Sequence, residues 1–349
     1  MIDHTLSPDA AHPPPEPAVR ARGLTHVFTE DVGVHDLDLD VQPGTIFGFI
    51  GPSGSGKTTT IRLLTGVLPA QHGELTVLGK SPSEFDRTDR SRLGYMPQLS
   101  VLYPHLSIWQ NLVFSASLFG VPWRGRRQRL SRYLEFVELD DARHRLLRDA
   151  SGGMQRRLAL AATLVHEPDL LFLDEPTAGI DPILRRKVWD RLIELRDAGR
   201  TLFVTTQYVG EAAYCDMVGV LAEGRLVAID TPEGLRRQAF GGELLDVVFT
   251  APLPGAERDQ LSEAAAAIRM VRLGPNAVRL VVEDAGEAAP RATAWAAEAG
   301  REIESVEPHL PVFDDVFVEL VSKKTTREPE PEYDATEAEA LVGSTEVER

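Results

Sequence analysis

The sequence predicts an α/β domain followed by a small α+β domain. An apolar stretch over residues 45–50 leads directly into a glycine-rich loop, residues 51–59, and a helical pattern follows. Apolar strands recur at residues 170–173 and 201–206 with helical sequence between them, as in an α/β core. After Phe240 the pattern changes to β-α-β-β-α-β, which indicates a second, separate unit.

The N-terminal part is predicted to begin the first domain, which we place at residues 19–240. Residues 1–18 are polar and proline-rich, so we expect a disordered tail there. Alternating apolar positions predict a strand from Val19 and another over residues 33–41. A helix over residues 58–66 then ends at a glycine.

The middle of this domain is predicted to carry a helical subdomain at about residues 93–165. A strand ends at Gln98, and the sequence that follows is mostly helical. The core then resumes, with an arginine-rich helix over residues 182–198 and a hairpin over residues 218–229.

Residues 241–322 are predicted to form an accessory domain of the ferredoxin-like type. This order requires four strands, which we place at residues 244–249, 269–273, 277–283 and 301–306. It also requires two helices, which we place at residues 256–267 and 289–299. Residues 323–349 are rich in glutamate, so we expect a disordered acidic tail.

Composition excludes several classes of protein. The chain has 349 residues and a net charge of −16, which disfavours nucleic acid as a partner because phosphate binding needs a basic surface. Its single cysteine, Cys215, excludes an internal disulfide and is consistent with a reducing cytosol. No apolar run approaches the roughly 18 residues of a membrane span, and no signal peptide is evident. We therefore expect a soluble, cytoplasmic protein.

The glycine-rich loop matches the phosphate-binding pattern G-x-x-x-x-G-K-[ST] between a strand and a helix. Lys57 is expected to contact the β- and γ-phosphates of ATP, and the Thr58 hydroxyl to bind Mg²⁺. A chance glycine-rich turn is the alternative, but this context is rare by chance. The predicted ATP-binding residues of the loop are Gly51, Pro52, Ser53, Gly54, Ser55, Gly56, Lys57, Thr58 and Thr59.

Two carboxylates end the apolar strand of residues 170–173. Asp174 is expected to hold Mg²⁺, and Glu175 to polarise the attacking water. Adjacent carboxylates at a strand end are often solvated loop charges. Their position downstream of a phosphate-binding loop favours the catalytic interpretation.

At Ser151 the chain resembles the signature segment of ABC-transporter ATPases. Residues 176–182 are similar to the D-loop of that family, with Asp181 in it, and Gln98 matches its Q-loop glutamine. The resemblance implies a RecA-like P-loop NTPase core with β- and helical subdomains, and a role for Gln98 at the metal and the water. It also implies a head-to-tail dimer in which the signature segment of one subunit caps the ATP of the other. Ser151 is also expected to be the N-cap of a helix over residues 155–165. This role is compatible with a contact to the phosphate, because the N-terminus of that helix would face it. The predicted signature residues are Ser151, Gly152, Gly153, Met154 and Gln155.

Two more positions are assigned through the resemblance. Phe28 matches the aromatic residue that stacks on adenine, although a lone phenylalanine is more often core. Gln207 stands where most members carry a switch histidine, and Ala150 where leucine usually precedes the signature serine. A glutamine amide can donate a hydrogen bond to phosphate but cannot titrate near neutral pH. The Thr-Thr-Gln-Tyr form resembles the ATPases of daunorubicin-resistance-type drug exporters.

The resemblance implies an ATP-hydrolysing subunit of an exporter for drugs, lipids or other hydrophobic compounds. It implies a homodimer or paired cassette subunits on a separate membrane permease, at the inner face of the plasma membrane. Residues 99–114 either receive a helix of the permease or form the core of the helical subdomain. A catalytically weak, regulatory nucleotide-binding clamp is the alternative suggested by Gln207. A soluble translation or repair ATPase is disfavoured, because the chain has one phosphate-binding loop and no long heptads.

Overall fold

A computed structural model describes residues 16–29, 32–99 and 101–325. The predicted tails, residues 1–18 and 323–349, lie largely outside these ranges. Among the described residues no helix combines the length and the hydropathy that a membrane span requires.

The described chain alternates strands and helices. The strands are β1 Val19–Thr29, β2 Val32–Val41, β3 Ile46–Ile50, β4 His72–Val77, β5 Leu93–Met96, β6 Leu170–Asp174, β7 Thr201–Thr206, β8 Met217–Ala222, β9 Arg225–Asp230, β10 Glu243–Phe249, β11 Arg269–Arg272, β12 Ala277–Val282 and β13 Ile303–His309. The helices are α1 Lys57–Leu64, α2 Arg87–Ser91, α3 Ile108–Leu118, α4 Arg126–Phe136, α5 Gly152–Leu164, α6 Pro182–Asp197, α7 Pro232–Phe240, α8 Gly255–Ala264, α9 Ala285–Glu298 and α10 Phe313–Thr325.

The central sheet has the order β5-β6-β7-β3-β8-β9. Its pairs are parallel except for β8 with β9, which is the predicted hairpin. Every residue of β3, β6 and β7 is buried, as expected for strands covered on both faces. Because the carboxyl ends of parallel strands meet at one edge, the segments after β3, β5, β6 and β7 share that edge.

A smaller antiparallel sheet, β2-β1-β4, covers one side of this core. Its inward residues share an apolar cluster with Phe47 and Phe49 of β3 and with α1. The backbone N–H of Ala18 donates to the Val41 carbonyl oxygen at 2.7 Å, so ordered pairing begins before the predicted boundary at Val19.

Helices α3, α4 and α5 form the helical part, packed around Leu112, Leu130 and Leu158. Two sequence boundaries need correction here. β5 pairs with β6 in the central sheet, so the helical part begins after Met96 and not at residue 93. Helix α5 begins at Gly152 rather than residue 155, because Ser151 caps it by accepting from the Met154 N–H.

The C-terminal sheet has the order β11-β12-β10-β13, and all its pairs are antiparallel. Helices α8 and α9 share one apolar cluster with alternate residues of β10, namely Leu245, Val247 and Phe249. Helix α9 begins at Ala285, earlier than the predicted residue 289, because Asp284 caps it by accepting from the Glu287 N–H. Pro290 therefore lies inside this helix.

Helix α10 is absent from the sequence prediction. Its apolar residues Phe313, Val316 and Leu320 join the core cluster of the first domain, beside Leu235 of α7. The Lys323 ammonium donates to the carbonyl oxygen of Ala239 at 2.6 Å. The predicted boundary at residue 323 is therefore wrong, since the helix extends to Thr325 and packs on the nucleotide-binding part of the chain.

Candidate nucleotide site

The glycine-rich loop connects β3 to α1 at the carboxyl edge of the central sheet. Gly54 and Gly56 have φ values of +82° and +105°, which residues with a Cβ rarely adopt. The Lys57 ammonium donates to the carbonyl oxygens of Gly51 at 2.8 Å and Pro52 at 2.9 Å. The loop therefore curves around the lysine head group, which is the geometry that a polyphosphate requires.

Lys57 is almost fully buried, with 5% of its surface exposed, and its Nζ lies 3.5 Å from Oε1 of Glu175. Burial lowers the pKa of Lys57, and the charge of Glu175 opposes this shift. The charge of Asp174 acts in the same direction, and a buried ammonium in this position suits an anionic ligand such as phosphate.

Asp174 ends β6 and is completely buried. Its Oδ2 accepts from the Thr58 hydroxyl at 2.8 Å, and its Oδ1 accepts from the Thr205 hydroxyl at 2.6 Å. One hydroxyl and one carboxylate at the end of a phosphate-binding loop fit Mg²⁺, which takes oxygen ligands and completes its shell with phosphates and water. The described residues offer no cluster of three or more His, Cys, Asp or Glu, which a metal cage made only of protein would need.

Glu175 follows in a left-handed backbone conformation, with φ at +50°. This conformation is uncommon for a residue with a side chain and is often found at functional sites. The Glu175 N–H donates to the Thr205 carbonyl oxygen at 3.0 Å, and the Gln98 amide donates to Glu175 Oε2 at 3.1 Å. Lys57, Thr58, Gln98, Asp174 and Glu175 thus form one connected cluster.

Arg156 is a site residue that the sequence analysis missed. It lies on α5, is 8% exposed, and its guanidinium donates to five carbonyl oxygens. These acceptors belong to Pro97 (3.3 Å), Gln98 (2.6 Å), Asp174 (2.6 Å), Glu175 and Pro176 (3.2 Å). Burial lowers the pKa of Arg156, and the charge of Asp174 opposes this most. The sequence gives one indication of this role: Arg156 is a charged residue near the start of a helix whose other buried residues are mostly apolar.

The signature segment lies at the start of α5. The Ser151 side chain caps the helix, and Gln155 donates to the carbonyl oxygens of Leu147 at 3.2 Å and Ala150 at 3.1 Å. A Cβ at Gly153 would lie 2.9 Å from Leu184 of α6, so glycine allows close packing there. In the described part of the chain, no side-chain hydrogen bond joins this segment to the Lys57 cluster.

Three other predicted residues lie outside the cluster. Phe28 is 53% exposed near the end of β1, with its ring 4.8 Å from that of His26, so it is not a core residue. Asp181 caps α6 by accepting from the N–H groups of Ile183 and Leu184. Gln207 is exposed directly after β7.

The region after Gln98 is part core and part surface. Leu102 and Trp109 pack against the helical core, whereas Leu99 and Val101 are 81% and 75% exposed. A groove of about 280 Å³ lies between this segment and α3 and α5, lined by residues that include Leu102, Phe114 and His166. Leu102 and Trp109 therefore fit the core alternative, and the exposed residues leave the permease alternative open as a proposal.

Comparison with known proteins gives a consistent result. The family model described as ABC transporter matches residues 34–178. The chain is 36% identical to the daunorubicin/doxorubicin resistance ATP-binding protein DrrA of Streptomyces peucetius over 308 residues, covering 88% of this chain and 93% of DrrA. It is 38% identical over 233 residues to the probable multidrug ABC transporter ATP-binding protein YbhF of Escherichia coli (strain K12), covering 67% of this chain but only 40% of YbhF.

A solved structure of an ATP binding subunit of an ABC transporter superposes with a TM-score of 0.58 at 26% identity, covering 64% of this chain and 93% of that one. The resemblance predicted from the motifs is thereby confirmed. The phosphate-binding loop, the Asp174–Glu175 pair and the similarity along nearly all of DrrA show that this chain belongs to the ABC transporter ATP-binding proteins.

Proposed function

We propose that this chain binds ATP with Mg²⁺ in the Lys57 cluster and hydrolyses it to drive export through a separate membrane permease. The observation that carries the proposal is the connected set of hydrogen bonds from Thr58 through Asp174 and Thr205 to Glu175 and Gln98. Together with the 3.5 Å ion pair of Lys57 and Glu175, this set supports a phosphate-binding role for Lys57, a metal-binding role for Thr58 and Asp174, and a water-activating role for Glu175.

Ground-state binding is assigned to the loop. Lys57 and the loop N–H groups hold the phosphates, and the exposed ring of Phe28 stacks on the adenine. Thr58 and Asp174 would hold Mg²⁺, with Gln98 close to it. When bound, the ion neutralises charge on the β- and γ-phosphates.

The chemical step is assigned to Glu175. Its carboxylate orients and polarises the water, and the Gln98 amide fixes its second oxygen. Gln207 donates a hydrogen bond to the γ-phosphate without exchanging a proton. Ser151, Gly152 and Gly153 of a second cassette cap the same phosphate, with Met154 and Gln155 behind them and Asp181 at the interface of the pair. The N-terminus of α5 suits this contact because its N–H groups favour an anion.

The groove between the segment after Gln98 and α3 is proposed as the docking site for a helix of the permease. Its exposed apolar residues Val101 and Leu118 would be covered there. The chain would then sit at the cytoplasmic face of the plasma membrane. Relatives named for multidrug transport and daunorubicin/doxorubicin resistance support a drug or other hydrophobic compound as the exported substrate.

We propose that the part of residues 241–322 from β10 to β13 forms an accessory ferredoxin-like domain, whereas α10 packs on the ATP-binding domain of residues 19–240. The strand order β11-β12-β10-β13 with two helices on one face supports this class.

A second candidate function is a regulatory clamp that binds nucleotide and hydrolyses it weakly. Gln207 favours it, because a glutamine cannot serve as a proton acceptor at this position.

The decisive experiment compares Lys57→Ala and Glu175→Gln with the wild type. Lys57→Ala should lose ATP affinity and turnover together. Glu175→Gln keeps the phosphate contacts, so its ATPase rate should fall by about 100-fold or more while ATP-bound dimers accumulate in light scattering. The exposed Glu135→Gln on α4 is the matched control and should behave as wild type. Wild-type hydrolysis by Glu175→Gln would contradict the catalytic assignment, and negligible hydrolysis by the wild type would favour the clamp.

A further inference from the structure

A second buried polar cluster lies beside the nucleotide site and has no role in the proposed chemistry. Its centre is Glu211, in the short helical turn Val209–Tyr214 after β7. Glu211 is 3% exposed, and its Oε1 accepts from the Thr177 hydroxyl at 2.7 Å. Thr177 is completely buried and lies two residues after Glu175. A buried carboxylate therefore joins the loop after β7 to the loop after β6.

Arg185 of α6 completes this cluster. Its Nε lies 3.5 Å from Oε1 of Glu211, and its guanidinium carbon lies 3.7 Å from the centre of the Tyr208 ring. Tyr208 directly follows Gln207, and its N–H donates to the Thr206 hydroxyl at 3.0 Å. Arg185 thus contacts both the ring of Tyr208, which is next to Gln207, and the carboxylate of Glu211.

The first turn of α6 contacts the remaining parts of the site. Asp181 caps this turn, and Leu184 packs on Gly153 of the signature segment. Arg185 follows Leu184 directly. The signature glycine, the segment of residues 176–181 and the Gln207 loop are therefore all connected through one helical turn.

We propose that Arg185 and Glu211 are positioning residues that fix the Gln207 loop relative to residues 176–181. This inference rests on the proposed role of Gln207 at the γ-phosphate. A glutamine amide acts only as a hydrogen-bond donor there, and such a bond weakens steeply when its angle or distance changes. A histidine could still act through its charge, whereas Gln207 depends wholly on where its backbone is held.

A purely stabilising role is the competing explanation for the cluster. Glu211 is buried while Arg185 keeps 24% of its side-chain surface exposed, so the desolvation of the carboxylate offsets much of the attraction and the pair by itself is weak support for stability. Two atoms of the pair, Arg185 Nε and Glu211 Oε2, have no hydrogen-bond partner within the described part of the chain. This geometry suits an orienting contact better than a fully satisfied structural network.

The test is a double-mutant cycle of Arg185→Met and Gln207→Ala, with kcat and KM for ATP measured on folded protein. If Arg185 acts through Gln207, Arg185→Met should lower kcat by about 10- to 100-fold with KM changed less than about 3-fold. In the Gln207→Ala background the same change should lower kcat less than about 2-fold, because the positioned group is already gone.

Arg186→Met is the matched control. Arg186 is the next residue on α6, is exposed and pairs with Asp190 at 3.0 Å; among the described residues it contacts the Val209–Tyr214 turn at Tyr214, not at Glu211. Its kcat should stay within about 2-fold of wild type. Tyr208→Leu removes the stacked ring without leaving a buried charge, so it tests the same contact should Arg185→Met fail to fold.

The outcomes distinguish a failure of the positioning role of Arg185 and Glu211 from a failure of the proposed role of Gln207. Independent, multiplying losses of kcat in the cycle, or an unchanged kcat in both Arg185→Met and Tyr208→Leu, would overturn the positioning role alone. A wild-type kcat in Gln207→Ala would overturn the proposed role of Gln207 itself. If Lys57→Ala and Glu175→Gln lose activity while Arg185→Met and Tyr208→Leu keep the wild-type kcat, the proposed nucleotide site stands and the positioning role is rejected.

Discussion

Arg156→Lys is the perturbation whose size the structure defines best. The guanidinium donates to five carbonyl oxygens. Two belong to the segment after β5, one to the last residue of β6 and two to the segment after β6. An ammonium has three N–H groups on one atom, so at least two of these acceptors lose their donor. Each buried acceptor left without a partner costs about 1–3 kcal/mol, less where its second lone pair stays bonded. We therefore expect a loss of about 2–4 kcal/mol in the free energy of unfolding.

The same change should affect catalysis more than binding. Three of the five carbonyl oxygens that Arg156 contacts belong to Gln98, Asp174 and Glu175, whose side chains form the proposed catalytic half of the site. None of its hydrogen bonds reaches the phosphate-binding loop. We expect kcat to fall by about 10-fold or more, with ATP affinity changed by only a few-fold.

Urea unfolding and steady-state ATPase assays measure both effects. Arg157→Lys is the control, because within the described ranges the polar contacts of that neighbouring residue are with Val137 and Glu138, outside the site cluster. If Arg156→Lys unfolds within about 0.5 kcal/mol of wild type, the five contacts do not hold the two loops as argued.

Two further predictions concern stability, one at His166 and one on helix α10. Burial lowers the pKa of His166 below its usual 6.5, so the unfolded chain binds more protons and stability falls as the pH drops below 6.5. In urea unfolding between about pH 7.5 and pH 5.5, the free energy of unfolding should fall less for His166→Gln than for the wild type. An equal fall in both proteins would contradict a lowered pKa of His166. On α10, Val316 is 1% exposed and Val318 is 62% exposed. Val316→Ala should lower the free energy of unfolding by about 1–3 kcal/mol, and Val318→Ala by less than about 0.5 kcal/mol; equal effects would mean that α10 does not pack on α7.

The chemistry-bearing motifs were predictable from local sequence. A strand, a glycine-rich loop and a helix must follow one another for backbone N–H groups to surround a phosphate, so Lys57 and Thr58 could be assigned from their neighbours alone. Asp174 and Glu175 could be placed at a strand end for the same reason. Their mutual approach was only inferred, and the hydrogen bond from Thr58 to Asp174 at 2.8 Å shows it.

Element boundaries were predicted less well where a side-chain cap decides them. Ser151 and Asp284 start α5 and α9 earlier than the apolar patterns suggest, because each accepts from a backbone N–H of the first turn. Helix α10 was missed because its apolar residues pack on elements far away in the sequence, among them α7 and the Val209–Tyr214 turn.

The sequence by itself determined the α/β class of the ATP-binding part, the glycine-rich loop and the position of the carboxylate pair, since these depend on residues adjacent in the chain. Only the tertiary structure decided which distant groups serve them. Arg156 and Glu211 look like ordinary charged residues in the sequence, yet each is buried and joins two loops that follow neighbouring parallel strands. The physical reason is that parallel strands bring their carboxyl ends together whatever the length of chain between them, so contacts across that edge carry no local signal.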